Sequence, residues 1–354
     1  MTRSKFPIIC FCAVALASAA TAQTPAPSPR DPIPEDASRA ILAAFGRYAI
    51  VGMEAGHSMK DIDDFILSLI RQPGFPLIVN DIVLECTNSK YQSVLDRYIA
   101  GENVSFEQVS RAWRTSGPPC ADFHVGVFPL IRRINLRLPT DKRLRVLAGE
   151  PPVDFDSITT EAQARNYYGS GRREESMAAV IEREVLVKHR KALVLYGGFH
   201  LMHSNRGGNG VALYERKYPG ITYVIWVNET GCSGTNAFTR AIESRMADWP
   251  VPSVAGIRNT TFAQLDDLSP SPFGRWSESV DAVLYLGPRD LLLKQPVPAY
   301  MWLDSSYIRE LHRQASVPGA ATTRAQEILD ERKVVEAEAS PFVCEKVTAP
   351  GRSP

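Results

Sequence analysis

The chain has 354 residues, of which 44% are hydrophobic and 22% are charged. Its 40 basic and 39 acidic residues leave a formal net charge of +1. A nucleic-acid-binding surface needs a concentrated basic patch, so no nucleic-acid partner is expected, and the length suits one large α/β domain.

The first 22 residues have the pattern of a secretory signal peptide. Two basic residues precede an uncharged apolar stretch (residues 6–19), and Ala20-Thr21-Ala22 offers the small residues that signal peptidase recognises. The apolar stretch is short for a membrane span, although an uncleaved anchor stays an alternative. Residues 23–34 are rich in proline and are predicted to form a linker. We therefore expect a secreted or periplasmic protein whose mature chain has no integral membrane span.

Several short, mostly apolar runs in the rest of the chain are typical of β-strands buried on both faces. They lie at Ala49–Met53, Leu77–Leu84, Leu144–Ala148, Ala192–Tyr196, Thr222–Val227 and Ala282–Leu286. The intervening segments with helical periodicity are Met59–Ile70, Ser89–Ala100, Phe106–Trp113, Phe123–Leu138 and Glu174–His189. Two later helices are predicted at Ser305–Gln314 and Thr322–Val335.

This alternation predicts an α/β fold with a mostly parallel β-sheet flanked by helices on both faces. Helical insertions and an irregular C-terminal extension are expected to complete it. The predicted single domain spans residues 35–345, and its part from 230 to 345, where the pattern weakens, is the extension. Residues 346–354 are predicted to be a flexible tail.

Four cysteines remain outside the predicted signal peptide: Cys86, Cys120, Cys232 and Cys344. An even number in an oxidising compartment predicts disulfides, and we expect the pairs Cys86–Cys120 and Cys232–Cys344, one of three connectivities. Four buried free thiols stay an alternative. No C-x-x-C pair is present, so zinc bound through thiolates is not expected.

Polar or ionisable residues follow five of the predicted strands. In chain order they are Glu54 and His57, Glu85, Glu150, His200 and His203, and Asn228 and Glu229. Ligands of open parallel sheets bind at the carboxyl ends of the strands. We therefore predict one polar site at this edge, centred on Glu54, His57, Glu85 and His200.

Histidines and carboxylates that meet in this way support two kinds of chemistry. They can hold a divalent metal through imidazole nitrogens and carboxylate oxygens. They can instead activate a water molecule without a metal, with a histidine as base and a carboxylate that orients it. No G-x-S-x-G, P-loop or H-E-x-x-H motif is present, so a serine hydrolase of the usual kind is not indicated.

Each of these residues also has a structural interpretation. His57 could cap the following helix, and Glu54 could be an exposed carboxylate on a turn. Glu150 could be an ordinary loop residue before two prolines, and His203 has the weakest functional indication.

Arg173 and Glu174 open a predicted helix. A glutamate there complements the helix dipole, and an arginine could bind an anionic ligand or clamp a site carboxylate. We include both as candidate substrate-binding residues, together with Glu150 and His203. The remaining histidines have no such neighbours and are predicted to be surface residues: His124, His189 and His312.

Four motifs occur in order between Ile41 and Asn228. They are Met53-Glu54-Ala55-Gly56-His57-Ser58, Glu85 at a strand end, Arg173-Glu174-Glu175-Ser176-Met177-Ala178, and Tyr196-Gly197-Gly198-Phe199-His200. Their order and spacing resemble the superfamily of erythromycin esterases, haem-binding ChaN-like lipoproteins and Tiki-type proteases. An additional histidine of the esterases is replaced here by Gly197.

The resemblance implies an α/β fold with a site between the sheet edge and a helical cover. As in the esterases, His57 would activate water, Glu54 and Glu85 would orient it, and Arg173 and His200 would hold the substrate or the oxyanion. As in Tiki-type proteases, a divalent metal would be held by the four core residues: His57, Glu54, Glu85 and His200. As in ChaN-like proteins, the cleft would bind haem or another ligand without catalysis. The cofactor is thus a divalent metal, a haem or none, and the partner is a small-molecule or peptide ligand.

Overall fold

The computed structural model describes residues 29–55, 59–114, 121–160, 162–163, 166, 172–203, 208–228, 236–269, 274–293, 303–316, 325–326 and 328–330. The predicted signal peptide and the predicted tail lie outside these residues. The strands are β1 Glu35–Asp36, β2 Ile50–Glu54, β3 Asp81–Asn88, β4 Arg145–Glu150, β5 Ala192–Tyr196, β6 Thr222–Val227, β7 Ser253–Gly256 and β8 Ala282–Tyr285.

All eight strands form one sheet in the order β1-β7-β8-β6-β2-β5-β3-β4. Every pairing from β8 to β4 is parallel, and only β7 runs antiparallel to its two neighbours. The predicted α/β fold with a mostly parallel sheet is confirmed. Beyond residue 230 the chain adds β7 and β8 to the same sheet, and short helical turns and loops separate them.

The helices in the described part of the chain are α1 Ala37–Ala44, α2 Lys60–Arg71, α3 Phe75–Ile78, α4 Gln92–Ala100, α5 Phe106–Arg114, α6 Ala121–Asn135, α7 Arg172–Ile181, α8 Gly198–Leu201, α9 Gly210–Glu215, α10 Ala237–Met246, α11 Trp276–Ser279 and α12 Ser305–Ser316. A π-helical turn, Glu182–Leu186, continues α7. Of the helix predicted at 322–335, residues 325–326 and 328–330 are described and are helical.

Helices cover both faces of the sheet. The first layer comprises α1 to α6 and α12, and the second comprises α7, α9 and α10. Helix α2 shows why the first layer forms: apolar residues recur at helical spacing along its buried face, as in Ile62, Ile66 and Leu69. The same alternation decides which strand side chains meet which layer, because successive residues of a strand point to opposite faces.

Strand β4 is an edge of the sheet, and side-chain amides bond to outer backbone groups of β4 and of Leu144, the residue before it. Asn135 bonds to both the N–H and the C=O of Leu144, each at 2.9 Å. Gln92 donates to Val146 O (2.7 Å) and accepts from Ala148 N (2.8 Å). An open edge strand is a template for pairing with another chain, so these amides protect the sheet against such pairing.

None of the helices in the described ranges is long and apolar enough to span a membrane.

Candidate functional site

The side chains that follow the central strands lie on one face of the sheet. Ile50, Val83, Val194 and Val224 all pack against the second helical layer. An even number of residues further along, the same alternation directs four polar side chains to that layer: Glu54, Glu85, Tyr196 and Asn228. The strand order therefore places a row of polar groups at the carboxyl edge, below the start of α7.

Arg173, the second residue of α7, holds Glu85 of this row and Glu150, the last residue of β4. Its Nη2 donates to Glu85 Oε1 (2.7 Å) and Glu150 Oε1 (2.6 Å), and its Nε donates to Glu150 Oε2 (2.8 Å). The Glu150 side chain is wholly buried, and that of Glu85 is 6% exposed. Burial opposes the charge of Arg173, but the two carboxylates outweigh it and raise the pKa of Arg173 well above its usual value. The guanidinium thus clamps two carboxylates, and the predicted role of Arg173 in substrate binding stays a prediction.

His200 lies beside this ion-pair network. Its Nδ1 is 2.5 Å from Glu174 Oε1, and its Nε2 is 3.4 Å from Glu85 Oε1. Burial disfavours the charged ring, but the hydrogen bonds to Glu174 and Glu85 outweigh it and raise the pKa of His200 to about 9. At neutral pH the ring therefore carries a positive charge, and each of its nitrogens faces a carboxylate.

Backbone N–H groups complete the binding of these carboxylates. Gly197 N donates to Glu85 Oε2, and Gly210 N donates to Glu174 Oε2, each at 2.6 Å. Charge-assisted bonds of this length fix the carboxylate positions, so the network is rigid.

Glu54, at the end of β2, lies beside the network and next to β6. Val227 N donates to Glu54 Oε2 (3.2 Å). A Cβ atom on Gly198 would lie 2.8 Å from Glu54 Oε1, so a larger residue where α8 begins would have to displace this carboxylate. The Glu54 side chain remains partly exposed, which leaves it accessible to a ligand.

Tyr196 was not predicted as a site residue. Its hydroxyl is fully buried, has no hydrogen-bond partner among the described residues, and faces β4 at Gly149. A Cβ atom on Gly149 would lie 1.7 Å from that hydroxyl oxygen, so the glycine makes room for the phenol. Burial raises the pKa of Tyr196 well above its ordinary value, so the phenol stays protonated.

His203 lies in a second cluster. Its Nδ1 is 2.8 Å from Glu215 Oε2, and its Nε2 is 2.6 Å from Asp281 Oδ2. Asp281 also pairs with Arg258 Nη2 (2.9 Å) and accepts a bond from the backbone of β6. These contacts connect the segment after α8 to β6 and β8, so His203 links these parts of the fold.

Two further groups of predicted residues have different outcomes. His57 and the cysteines Cys120, Cys232 and Cys344 lie outside the described residues. Cys86 is disulfide-bonded, and its pairing with Cys120 stays a prediction. His189 and His312 are exposed as predicted.

The prediction of a surface position for His124 is wrong. Its side chain is buried, and its Nε2 is 3.1 Å from Glu85 O and 2.9 Å from Thr87 Oγ1. The ring stacks on Trp113. The apolar residues of α6 pack in the first layer, and His124 is buried there with them. It lies below β3, the strand in which Glu85 lies.

The members of the predicted donor set that the structure describes do not fit a divalent metal; His57 is not among them. The guanidinium of Arg173 lies between Glu85 and Glu150, where it takes the place that a cation would need. Among the described residues no group of three or more His, Cys, Asp or Glu side chains is arranged to hold a metal ion. Both ring nitrogens of His200 face carboxylates, so the ring is not placed as a haem ligand.

Solved structures show similarity to this chain at the level of the fold. A mutant erythromycin esterase in its open conformation is 12% identical, with a TM-score of 0.48, over 73% of this chain and 94% of its own. A protein from Bacillus cereus is 10% identical, with a TM-score of 0.47, over 72% of this chain and 94% of its own. The haem-binding ChaN of Campylobacter jejuni is 11% identical, with a TM-score of 0.32, over 53% of this chain and 85% of its own.

No protein-family model matches the chain, and no curated protein matches it. Two of the three protein classes in the predicted resemblance are thus among the solved structures that the chain matches. At these identities the similarity concerns the fold, so the chemistry has to be argued from the site itself.

Proposed function

We propose that the chain is an exported hydrolase that cleaves an ester or amide bond of a small-molecule or peptide ligand. The observation that carries the proposal is the convergence of two cations, Arg173 and His200, on Glu85 at the carboxyl edge of the sheet. Positive charge that is fixed in place before the reaction is what a developing oxyanion needs.

Within this site His200 is the better placed of the two cations to meet the substrate. Its Nδ1 is held closely by Glu174, whereas its Nε2 contact with Glu85 is long, at 3.4 Å. A carbonyl oxygen that becomes negative during attack would draw the Nε2 proton away from this weak contact. Arg173 has two carboxylate partners and serves to keep Glu85 in place.

The attacking water requires a base, and His57 is the residue proposed for that role. It follows Glu54 by three residues, and Glu54 lies at the strand end next to the cationic pair. His57 would take a proton from water, the tetrahedral intermediate would be stabilised by His200, and the same proton would pass to the leaving group. No metal enters this sequence of steps.

Export is part of the proposal. The signal-peptide pattern of residues 1–22 supports it. The disulfide at Cys86 supports it as well, because structural disulfides persist in oxidising compartments.

A panel of activated esters and anilides tests the activity. We expect the wild-type protein to hydrolyse members of the panel, with a loss of about 100-fold or more in His57→Ala and in His200→Gln. His312→Ala, which alters an exposed histidine, is the control and should retain the full rate.

Equal rates in the wild type and His57→Ala would remove His57 from the mechanism. If no member of the panel is hydrolysed and a haem titration gives a Soret band, the protein is the ligand-binding alternative instead.

A further inference from the structure

One partly exposed tryptophan lies beside the site. Trp226, in β6, packs against the second helical layer. Its ring makes an edge contact with Trp276 (5.7 Å between ring centroids, 84° between planes) and a tilted contact with Phe238 (6.2 Å, 55°). Because neighbouring strands cover the backbone of β6, the part of Trp226 that is open to solvent belongs to its side chain. The indole therefore keeps aromatic surface that another molecule could cover.

The register of the sheet places Trp226 next to Glu54. Strands β2 and β6 are parallel neighbours, and Met53 stands opposite Ile225, so Glu54 and Trp226 are adjacent one residue further on. Adjacent strands lie about 4.8 Å apart. Both side chains face the second helical layer, because alternation along each strand directs them to the same side of the sheet. The indole is thus a direct neighbour of a site carboxylate.

The surface around this pair is open to solvent. Glu54 and Gly198 are partly exposed, and Phe199 is 40% exposed. Strand β5, which leads into α8, is the other neighbour of β2, so Trp226 and the residues of α8 flank Glu54 from opposite sides. The accessible groups thus follow one another along the carboxyl edge, and a ligand can contact the indole and Glu54 together.

Glu54 separates two chemically different halves of this edge. On the side of β5, β3 and β4 lie the two cations of the site with their carboxylates. On the side of β6 lie the aromatic rings of Trp226, Phe238 and Trp276. Ligand sites commonly combine a few polar groups with an apolar, aromatic wall. The charged half suits the polar bond that reacts, and the aromatic half suits an apolar ring attached to it.

Trp249 is a contrasting ring in the same helical layer. It is also partly exposed, but it stacks on Phe262 in parallel (5.6 Å, 3°) and meets Tyr285 edge-on (6.3 Å, 86°). Trp226 has no parallel stack with a ring in the described part of the chain. A ring of a ligand could supply that stack at Trp226, whereas Phe262 already supplies it at Trp249.

We propose that Trp226 stacks on an aromatic ring of the substrate, next to the bond that is cleaved. This inference rests on the proposed hydrolase function and deepens it, because it names the substrate class: esters or amides with an aromatic ring in the acyl part or in the leaving group. An aromatic pair gains attraction beyond the burial of its area, whereas a saturated ring of the same size gains the burial alone. The site therefore prefers an aryl group to a cyclohexyl group by about 10-fold.

The first test compares pairs of esters that differ only in this ring. One pair is methyl phenylacetate and methyl cyclohexylacetate, and the other is benzyl acetate and cyclohexylmethyl acetate; a pH-stat follows the acid released. We expect kcat/KM of the wild type to favour the aryl member of at least one pair by about 10-fold. A ratio near one in both pairs would overturn the proposal.

Variants then show whether Trp226 is the source of the preference. In Trp226→Leu, which keeps an apolar side chain without a ring, we expect the ratio to fall to about one. Trp226→Phe keeps a flat ring and should retain part of the preference. Trp249→Leu is the matched control and should keep the ratio of the wild type, because Trp249 lies outside the site and already has a stacking partner. An unchanged ratio in Trp226→Leu would overturn the proposal.

Where the wild type does not hydrolyse these esters, binding is measured directly, and the panel of activated substrates tells whether the proposed function has failed as well. The chain has five tryptophans, and the indole ¹⁵N–H signal of Trp226 is identified by its absence in Trp226→Phe. We expect phenylacetamide to shift this signal, cyclohexylacetamide to shift it much less, and the Trp249 signal to stay in place. The absence of a shift with phenylacetamide, or equal shifts with both amides, would overturn the aromatic subsite.

Discussion

Replacement of Arg173 by methionine should be among the most destabilising single changes at the site. The arginine makes three charge-assisted hydrogen bonds, of 2.6, 2.7 and 2.8 Å, to Glu85 and Glu150. Both carboxylates are almost completely removed from water. Removing one partner of a buried ion pair costs about 3–5 kcal/mol, since the remaining charge is left buried without compensation.

The two carboxylates would be left with different numbers of hydrogen-bond partners in Arg173→Met. Glu85 keeps the bond from Gly197 N (2.6 Å) and the contact with His200, whereas Glu150 keeps only a 3.4 Å bond from Cys86 N within the described residues. Most of the cost therefore falls on Glu150. Neutralising it, in the double variant Arg173→Met with Glu150→Gln, should restore about 1–3 kcal/mol.

Urea unfolding, followed by tryptophan fluorescence without reductant, measures these differences as shifts in midpoint at constant slope. The reasoning is refuted if Arg173→Met lies within about 1 kcal/mol of the wild type, since surface ion pairs contribute no more than that. It is also refuted if the added Glu150→Gln destabilises the protein further.

Three further predictions concern other parts of the fold. Burial opposes the charge of His203, but its hydrogen bonds to Asp281 and Glu215 outweigh it and raise its pKa from 6.5 to about 9. The protonated ring contributes about 3 kcal/mol of stability, which is fully present below pH 6.5 and is lost as the pH rises to 9. In His203→Gln the free energy of unfolding in urea should therefore depend less on pH between 6.5 and 9. An equally steep fall in the variant would contradict this. Gly149→Ala should lower the free energy of unfolding by about 1–3 kcal/mol in the same assay, because the added methyl group overpacks against Tyr196. Adding Tyr196→Phe should restore part of this stability. A Gly149→Ala variant as stable as the wild type would show that the phenol is not confined there. Gln92→Ala should increase self-association in analytical ultracentrifugation by opening the β4 edge, and an unchanged sedimentation profile would argue that other groups protect it.

Much of the fold could be predicted because buried parallel strands have continuous apolar sequences. The strands Ala192–Tyr196 and Thr222–Val227 have the predicted bounds. The strand predicted at 77–84 begins later, at Asp81, because Phe75–Ile78 forms a helical turn with Pro76 at its start. Strand β7 was missed because Ser253–Gly256 is short and ends in small residues, and it gains its order only by pairing with neighbours.

The sequence by itself determined which residues could form a site, because ionisable groups after apolar strands have few structural explanations. In this way it indicated Glu85, His200 and Arg173, which the structure brings together. It could not determine the partners, since these depend on strand order: Gly197 bonds to a carboxylate 112 residues away. It placed Asn228 after the strand predicted at Thr222–Val227, but an uncharged amide does not indicate which groups it bonds to. Only the tertiary structure showed that this amide is buried without a hydrogen bond in the described part of the chain.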